Sequence, residues 1–318
     1  MSSPAQLLSS GDLVADRRLE LARDYAAAGE ILAAAELMEQ ALERVPDWAA
    51  GWFALAEFRE RAAETLAAPD DLRAGAVAAY REALRLAAED PFGATLRLAR
   101  LGALPVPAAP PPAHVRHLFD GYADRFEASL VTALGYRGPE RIAGLLATHA
   151  GTRRFAAALD LGCGTGLVAT AIRARVDRLD GVDLAPAMIA RARAAGLYDG
   201  LEVGEVVAAM AARPPASLDL ITAGDVFCYL GDLAEVFAAA ARVLVSGGLF
   251  AFTVEAVTDD EAGDDVVLRD SLRWAHRRRH LEARGARAGF AVVAIEAATL
   301  RRDRGRDLPG HFALFTRS

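Results

Sequence analysis

The chain has 318 residues, with 36 basic and 43 acidic side chains and a formal charge of -7. That length predicts about two domains at roughly 150 residues each, and a 53% hydrophobic content supplies a sizeable core. The acidic balance argues against nucleic acid or an anionic membrane as the main partner. Lys and Asn are both missing. Their absence removes Schiff-base and P-loop lysine chemistry and N-glycosylation, and with Ala and Arg so abundant it reads as the bias of a GC-rich genome. Cys163 and Cys228, the two cysteines, make neither a disulfide framework nor a complete cysteine zinc site, so no metal is expected. The first residues lack the basic and apolar regions of a secretory signal, and no uncharged apolar run reaches the ~18 residues of a membrane span. A soluble, cytoplasmic protein is expected.

The predicted elements begin with helices. Residues 15 to 48 hold Leu21, Ala22, Tyr25, Ala34, Met38, Ala41 and Pro46 in one 34-residue unit. The order resembles the tetratricopeptide pattern, in which small residues let two helices approach and larger ones fill the space beside them. Ala22 and Ala34 take the small positions, Tyr25 and Met38 the large ones. Gly29 stands at the expected turn, and Pro46 ends the second helix. A second unit opens at Trp52, Leu55 and Ala56, and returns at Ala76, Tyr80 and Ala83. An insertion from Thr65 to Arg73 is expected to part its helices, and residues 94 to 102 to cap the stack. Two such repeats are fewer than the about three that stand alone.

Residues 103 to 113, ALPVPAAPPPA, cluster prolines that favour an extended, semi-rigid segment. The expected division is therefore 1–102 for the helical repeats, 103–113 for a linker and 114–318 for a second domain, in which short apolar runs alternate with helical stretches.

In that second domain an apolar run ends in Asp160-Leu-Gly162-Cys163-Gly164-Thr-Gly166, and a helical pattern follows. Glycines there permit close backbone approach to a ligand. A dinucleotide fingerprint would want glycine at 167, which is Leu. Asp160, two residues before the first glycine, is awkward beside a pyrophosphate but suits a ligand carrying a cationic amine and sulfonium. Cys163 reads as a small spacer inside the loop. The next strand ends at Asp183, 19 residues beyond Gly164, where a carboxylate can accept both ribose hydroxyls of an adenosine. Leu184 to Met188 then open a helix, with Pro186 in its first turn.

The glycine loop, the GVDLAPAMIARAR segment and the ARVLVSGGLFAFTVE segment together resemble a class I S-adenosylmethionine-dependent methyltransferase. The combination with amino-terminal repeats is similar to bacterial repeat-containing methyltransferases. The resemblance implies a doubly wound, Rossmann-like α/β sheet of seven strands with an antiparallel carboxyl-terminal edge, preceded by a small all-α tetratricopeptide-like domain. Residues 290 to 297 and 310 to 316 would supply the last two strands. It also implies S-adenosyl-L-methionine as cofactor, lined by Asp160, Gly162, Cys163, Gly164, Gly166, Asp183 and Leu184. Met188 would flank the adenine, Glu205 would meet its amino group, and Val206 and Asp225 would complete the lining. Tyr122 and Phe126, four residues apart on a helical pattern, resemble an aromatic lid over the cofactor, though a place in the core is an equal reading.

On the acceptor side, Asp225 and His276 are the candidate catalytic groups. Methyl transfer from an activated sulfonium can also run on proximity alone. Gly224-Asp225-Val-Phe227 lacks the paired prolines common where the acceptor is a nucleobase or amide nitrogen. The expected reaction is methyl transfer to a small-molecule or carrier-bound acceptor. The alternatives are a protein methyltransferase whose repeats select the substrate, and a non-catalytic cofactor-binding adaptor working through those repeats.

Overall fold

The computed structural model describes residues 8–65, 69–122, 135–303 and 305–318. The chain divides into two compact units, Met1–His117 and Leu118–Ser318.

The first unit is helical: α1 (Leu13–Ala27), α2 (Ile31–Arg44), α3 (Ala49–Thr65), α4 (Pro69–Leu86) and α5 (Ala94–Arg100). Each packs on the next. The Asp12 carboxylate caps α1, accepting from the amides of Val14 at 2.8 Å and Ala15 at 3.0 Å. Gly29, at φ +93°, makes the turn into α2. Ala22, Ala34, Met38, Ala41, Leu55, Ala56, Ala76 and Tyr80 are all buried, so small side chains sit where helices meet. Two expectations are corrected. Tyr25 fills no interior space, since it is 41% exposed. Residues 69 to 73 of the expected insertion are helix, because α4 already begins at Pro69, a residue suited to a first turn. Glu60, 4% exposed, is a buried charge satisfied from three sides. The Tyr80 hydroxyl donates to it at 2.6 Å, Arg97 pairs with it at 3.6 Å, and Arg100 closes the set.

Residues 103 to 111 carry neither helix nor strand, and α6 (Pro112–Tyr122) follows them. The second unit then runs α7 (Gly138–Ala150), β1 (Phe155–Leu161), α8 (Leu167–Ile172), β2 (Val176–Asp183), α9 (Pro186–Ala195), β3 (Gly200–Val203), α10 (Val206–Ala211) and β4 (Leu218–Ala223). Beyond them come α11 (Ala234–Val243), β5 (Leu244–Ala256), β6 (Val266–Leu268), β7 (Trp274–His276), α12 (Arg278–Arg287), β8 (Phe290–Asp303) and β9 (Arg306–Arg317).

The strands form one sheet in the order β3-β2-β1-β4-β5-β7-β6, with β9 also beside β5 and β8 beside β9. The path from β3 to β7 is parallel, while β5/β9, β8/β9 and β6/β7 are antiparallel. Parallel strands covered on both faces read as continuous apolar runs, and both faces are covered here. Phe227, Phe237, Phe250, Phe252 and Phe315 pack beneath α10 to α12 on one side. Ile142, Leu145, Leu146, Phe155 and Leu179 pack with α7 and α8 on the other. Asp219 fastens β4 to β1, accepting from the amides of Ala156 at 2.9 Å and Ala157 at 3.0 Å.

The architecture is therefore Rossmann-like and mostly parallel, but the described residues hold nine strands where seven were expected. The additional pair, β6 and β7, extends the carboxyl end of β5, where Glu255 and Ala256 pair with Ala275 and His276. Strands of three residues are too short to show alternation. The last two strands also outrun their expected limits of 290–297 and 310–316. Strand order reverses between β1 and β4, which opens a crevice at their carboxyl ends.

Candidate functional site

The crevice is floored by the loop joining β1 to α8. Gly162, Gly164 and Gly166 have φ of +57°, +54° and +103°, conformations that side chains with a Cβ rarely adopt. At Gly162 the room is also taken, since a Cβ would lie 2.4 Å from Cγ2 of Val226. Gly166 precedes the first residue of α8 in the left-handed conformation. Cys163 is buried between the glycines, and its amide donates to the Val182 carbonyl at 2.9 Å. Burial pushes its thiol far above the ordinary value, which fits a spacer and not a nucleophile.

At the end of β2, the two oxygens of Asp183 do different work. One accepts from the Gly164 amide at 2.9 Å and the other from the Ala185 amide at 2.9 Å. The first bond ties the strand end to the middle of the loop, and the second shapes the turn into α9. Burial raises the Asp183 pKa while these amides pull it down. Leu184 is half-buried in this turn. Met188 is buried with Ala185, and Phe119 and Ala187 pack against them. Asp120 accepts from the Ala187 amide at 3.1 Å, which places the end of α6 beside the start of α9. Tyr122 is the last residue of α6; its side chain and Phe126 lie outside the described residues.

Asp160 sits at the end of β1 and is 1% exposed. Its oxygens accept from the Thr222 hydroxyl at 2.7 Å and the Tyr198 hydroxyl at 2.7 Å. Burial raises its pKa to about 6 from 3.8, against the pull of those two hydroxyls. A carboxylate under the loop makes it inhospitable to a pyrophosphate and favourable to a cation. Glu205 lies at the end of β3 and caps α10, one of its oxygens accepting from the amides of Val207 at 3.1 Å and Ala208 at 3.0 Å. Val206 is buried at the start of that helix.

The opposite wall carries a charge cluster not anticipated from the sequence. Asp225, at φ +58° after β4, donates its amide to the Thr253 hydroxyl at 2.9 Å. Its carboxylate pairs with Arg301 at 2.7 Å and with Arg273 at 3.3 Å. Arg301 also reaches Glu255 at 2.5 Å, and Arg273 reaches it at 3.5 Å. The Arg273 guanidinium lies 4.8 Å from the centre of the Tyr229 ring and bonds its hydroxyl. Two buried carboxylates are thus balanced by two arginines drawn from β8 and the β6–β7 turn. Arg301 is 5% exposed despite its charge.

His276 departs from the expectation of a general base. It lies in β7 at 0% exposure, with Nε2 donating to the Gly231 carbonyl at 2.8 Å. Burial lowers its pKa to about 4. A ring sealed from solvent and neutral across the physiological range offers no acceptor a proton-accepting atom. Among the residues overlooked, Thr222 is the most readable, since it stands directly across the β1/β4 register from Asp160. Tyr198 reaches the same carboxylate from the loop between α9 and β3, 38 residues on, and no local pattern marks it. The described residues hold no cluster of acids, histidines and cysteines fit for a metal ion, and no helix long and apolar enough to cross a membrane.

An open α/β sheet with a glycine loop at its switch point, a carboxylate beneath the loop and another at the end of β2 defines a binder of an adenosine ligand with a cationic end. A family model described as a methyltransferase domain matches residues 159–252. The ubiquinone biosynthesis O-methyltransferase of Stutzerimonas stutzeri is 33% identical over 155 residues, covering 44% of this chain and 67% of that protein. The malonyl-[acyl-carrier protein] O-methyltransferase of Serratia marcescens is 30% identical over 144 residues, covering 45% of this chain and 52% of that one. The magnesium protoporphyrin IX methyltransferase of Synechocystis PCC 6803, solved with bound SAH, superposes with a TM-score of 0.50 at 12% identity. That match covers 65% of this chain and 99% of the other, and speaks to the fold alone. The chain belongs to the class I S-adenosylmethionine-dependent methyltransferases. Its matches span 41% of the length of one ubiquinone biosynthesis O-methyltransferase and 69% of another.

Proposed function

We propose that this protein transfers a methyl group from S-adenosyl-L-methionine to a small-molecule or carrier-bound acceptor. The observation that carries the reading is the Asp183 carboxylate held at the glycine loop by the Gly164 amide. It is supported by relatives named as a ubiquinone biosynthesis O-methyltransferase and a malonyl-[acyl-carrier protein] O-methyltransferase.

When bound, the cofactor supplies an activated methyl on a sulfonium. This chain's residues bind and orient it. Gly162, Gly164 and Gly166 let the loop backbone approach, Asp183 takes the ribose hydroxyls, and Leu184, Met188 and Val206 offer apolar contact to the base. Glu205 spends one oxygen on its helix cap and has the other for the adenine amino group. Asp160 acts from beneath the loop through its charge. Asp225 stands at the acceptor side, where its two arginine partners fix the carboxylate in place. In-line transfer needs proximity and orientation first, and the proposal assigns Asp225 to orienting the acceptor.

We also propose that α1 to α4 are two tetratricopeptide-like units with a peptide or protein ligand. This finer reading is supported by the 34-residue spacing and by the burial of Ala22, Ala34, Ala56 and Ala76.

The test is incubation of the full chain with methyl-labelled S-adenosylmethionine and cell extract, followed by mass spectrometry. A labelled metabolite or carrier conjugate is expected. Label found solely on proteins would favour a protein methyltransferase, and label nowhere, despite tight cofactor binding, an adaptor.

A further inference from the structure

Tyr198 stands in the loop between α9 and β3, outside every motif that carries the cofactor site, yet the structure gives it a prepared seat. A Cβ on Gly181 of β2 would lie 2.8 Å from its Cε1, and a Cβ on Gly166 of the glycine loop 3.4 Å from its Cε2. The ring therefore lies between strand β2 and the loop, in space that two glycines leave open. The next residue anchors the segment: the Asp199 amide donates to the Leu179 carbonyl at 2.8 Å, and its carboxylate accepts from the Leu179 amide at 2.7 Å. So placed, the Tyr198 hydroxyl points at Asp160 and donates to it at 2.7 Å.

We propose that Tyr198 is a cofactor-positioning residue: its hydrogen bond keeps a negative charge on Asp160 beneath the glycine loop, and that charge holds the cationic end of the cofactor. The inference rests on the cofactor reading above and adds a residue and a pH dependence to it.

A carboxylate at 1% exposure is costly to ionise, and hydrogen bonds to its charged form offset that cost. Asp160 has two such donors, Thr222 from β4 and Tyr198, with the neighbouring Asp183 charge of β2 working against them. Cys163, from the loop itself, also faces Tyr198, and burial keeps it a thiol. Tyr198 is held neutral by burial and by the Asp160 charge, so it stays a donor. Asp160 is thus poised near pH 6. Below that it protonates, and attraction for a cation under the loop is lost. Without the tyrosine hydroxyl, protonation sets in at higher pH.

Calorimetric titration of the full chain with S-adenosylhomocysteine between pH 5 and pH 8 tests this. Wild type is expected to bind about tenfold more weakly at pH 5 than at pH 8, and Tyr198→Phe to move the midpoint up by about one pH unit. At pH 8 the two proteins should agree within about twofold, whereas a purely structural defect would weaken binding equally at every pH. Should Tyr198→Phe fail to fold, Asp160→Asn serves: weaker binding with a flat profile over the same range is expected. Coincident profiles for wild type and Tyr198→Phe, or a pH-dependent profile retained in Asp160→Asn, would overturn the inference and leave the cofactor reading intact. No binding by wild type even at pH 8 would overturn both.

Discussion

Arg301 of β8 reaches across the sheet to Asp225, 76 residues earlier in the chain, and closes a 2.7 Å ion pair with it. The other terminal nitrogen of that guanidinium reaches Glu255 at 2.5 Å, so one arginine bridges two carboxylates whose charge it balances together with Arg273. This links the carboxyl-terminal hairpin of β8 and β9 to the proposed acceptor side of the crevice.

Removing such a partner leaves charge buried and unpaired. Arg301→Ala should therefore cost about 3 to 5 kcal/mol of unfolding free energy. Arg273→Ala should cost less, because its contacts to the same acids are longer and its side chain is 18% exposed. Urea denaturation of the two variants checks the order. Equal losses would mean that the arginines share the carboxylates evenly.

Asp160 makes a prediction about stability in the absence of ligand. Its folded pKa, about 6, stands above the ordinary 3.8, so folding disfavours its ionised form. Stability from this group is fully present below pH 3.8 and is lost as pH rises through 6. Two pKa units correspond to about 3 kcal/mol. Asp160→Asn should thus gain about 2 kcal/mol on wild type between pH 4 and pH 7.5, as seen by denaturant melts at both. A constant difference at the two pH values would place the Asp160 pKa near its ordinary value. The binding site is stabilised at the expense of the fold, as expected where a charge is kept for a ligand.

At Gly162 a methyl group has no room, because Val226 Cγ2 would lie 2.4 Å from it and φ is +57°. Gly162→Ala should lower stability by about 1 to 3 kcal/mol and abolish measurable S-adenosylhomocysteine binding. Val226→Ala in the same chain should relieve the clash but not the dihedral strain, and so restore stability only in part.

His276, sealed in β7 and bonded to the Gly231 carbonyl, should matter to folding and not to proton transfer. His276→Ala is expected to lower the thermal midpoint while leaving the shape of the turnover pH profile unchanged once a labelled acceptor is in hand. Loss of a limb of that profile would restore the histidine to the chemistry.

The glycine-loop half of the candidate site was legible because its residues are local. Three glycines, Asp160 and Asp183 stand at fixed spacing around one strand–loop–helix unit, and each lies where that spacing puts it. The acceptor half was not. Asp225 follows β4, Glu255 lies in β5, Arg273 in the β6–β7 turn and Arg301 in β8, and they meet only when the sheet closes, so neither the arginine partners of Asp225 nor the burial of His276 showed in the sequence. The same holds for β6 and β7, whose three-residue lengths leave no periodic trace. In the helical unit the small positions Ala22 and Ala34 were readable by spacing, whereas the side to which Tyr25 turns was not.

The loop from Asp160 to Gly166 and the carboxylate of Asp183 are proposed to form the S-adenosylmethionine site. The direct measurement is isothermal titration of S-adenosylhomocysteine into wild type and Asp183→Ala at pH 8. Binding by wild type and a loss of about 100-fold or more in the variant is predicted, since two charge-assisted hydrogen bonds to ribose go with that carboxylate. Equal affinity in the two proteins would contradict it.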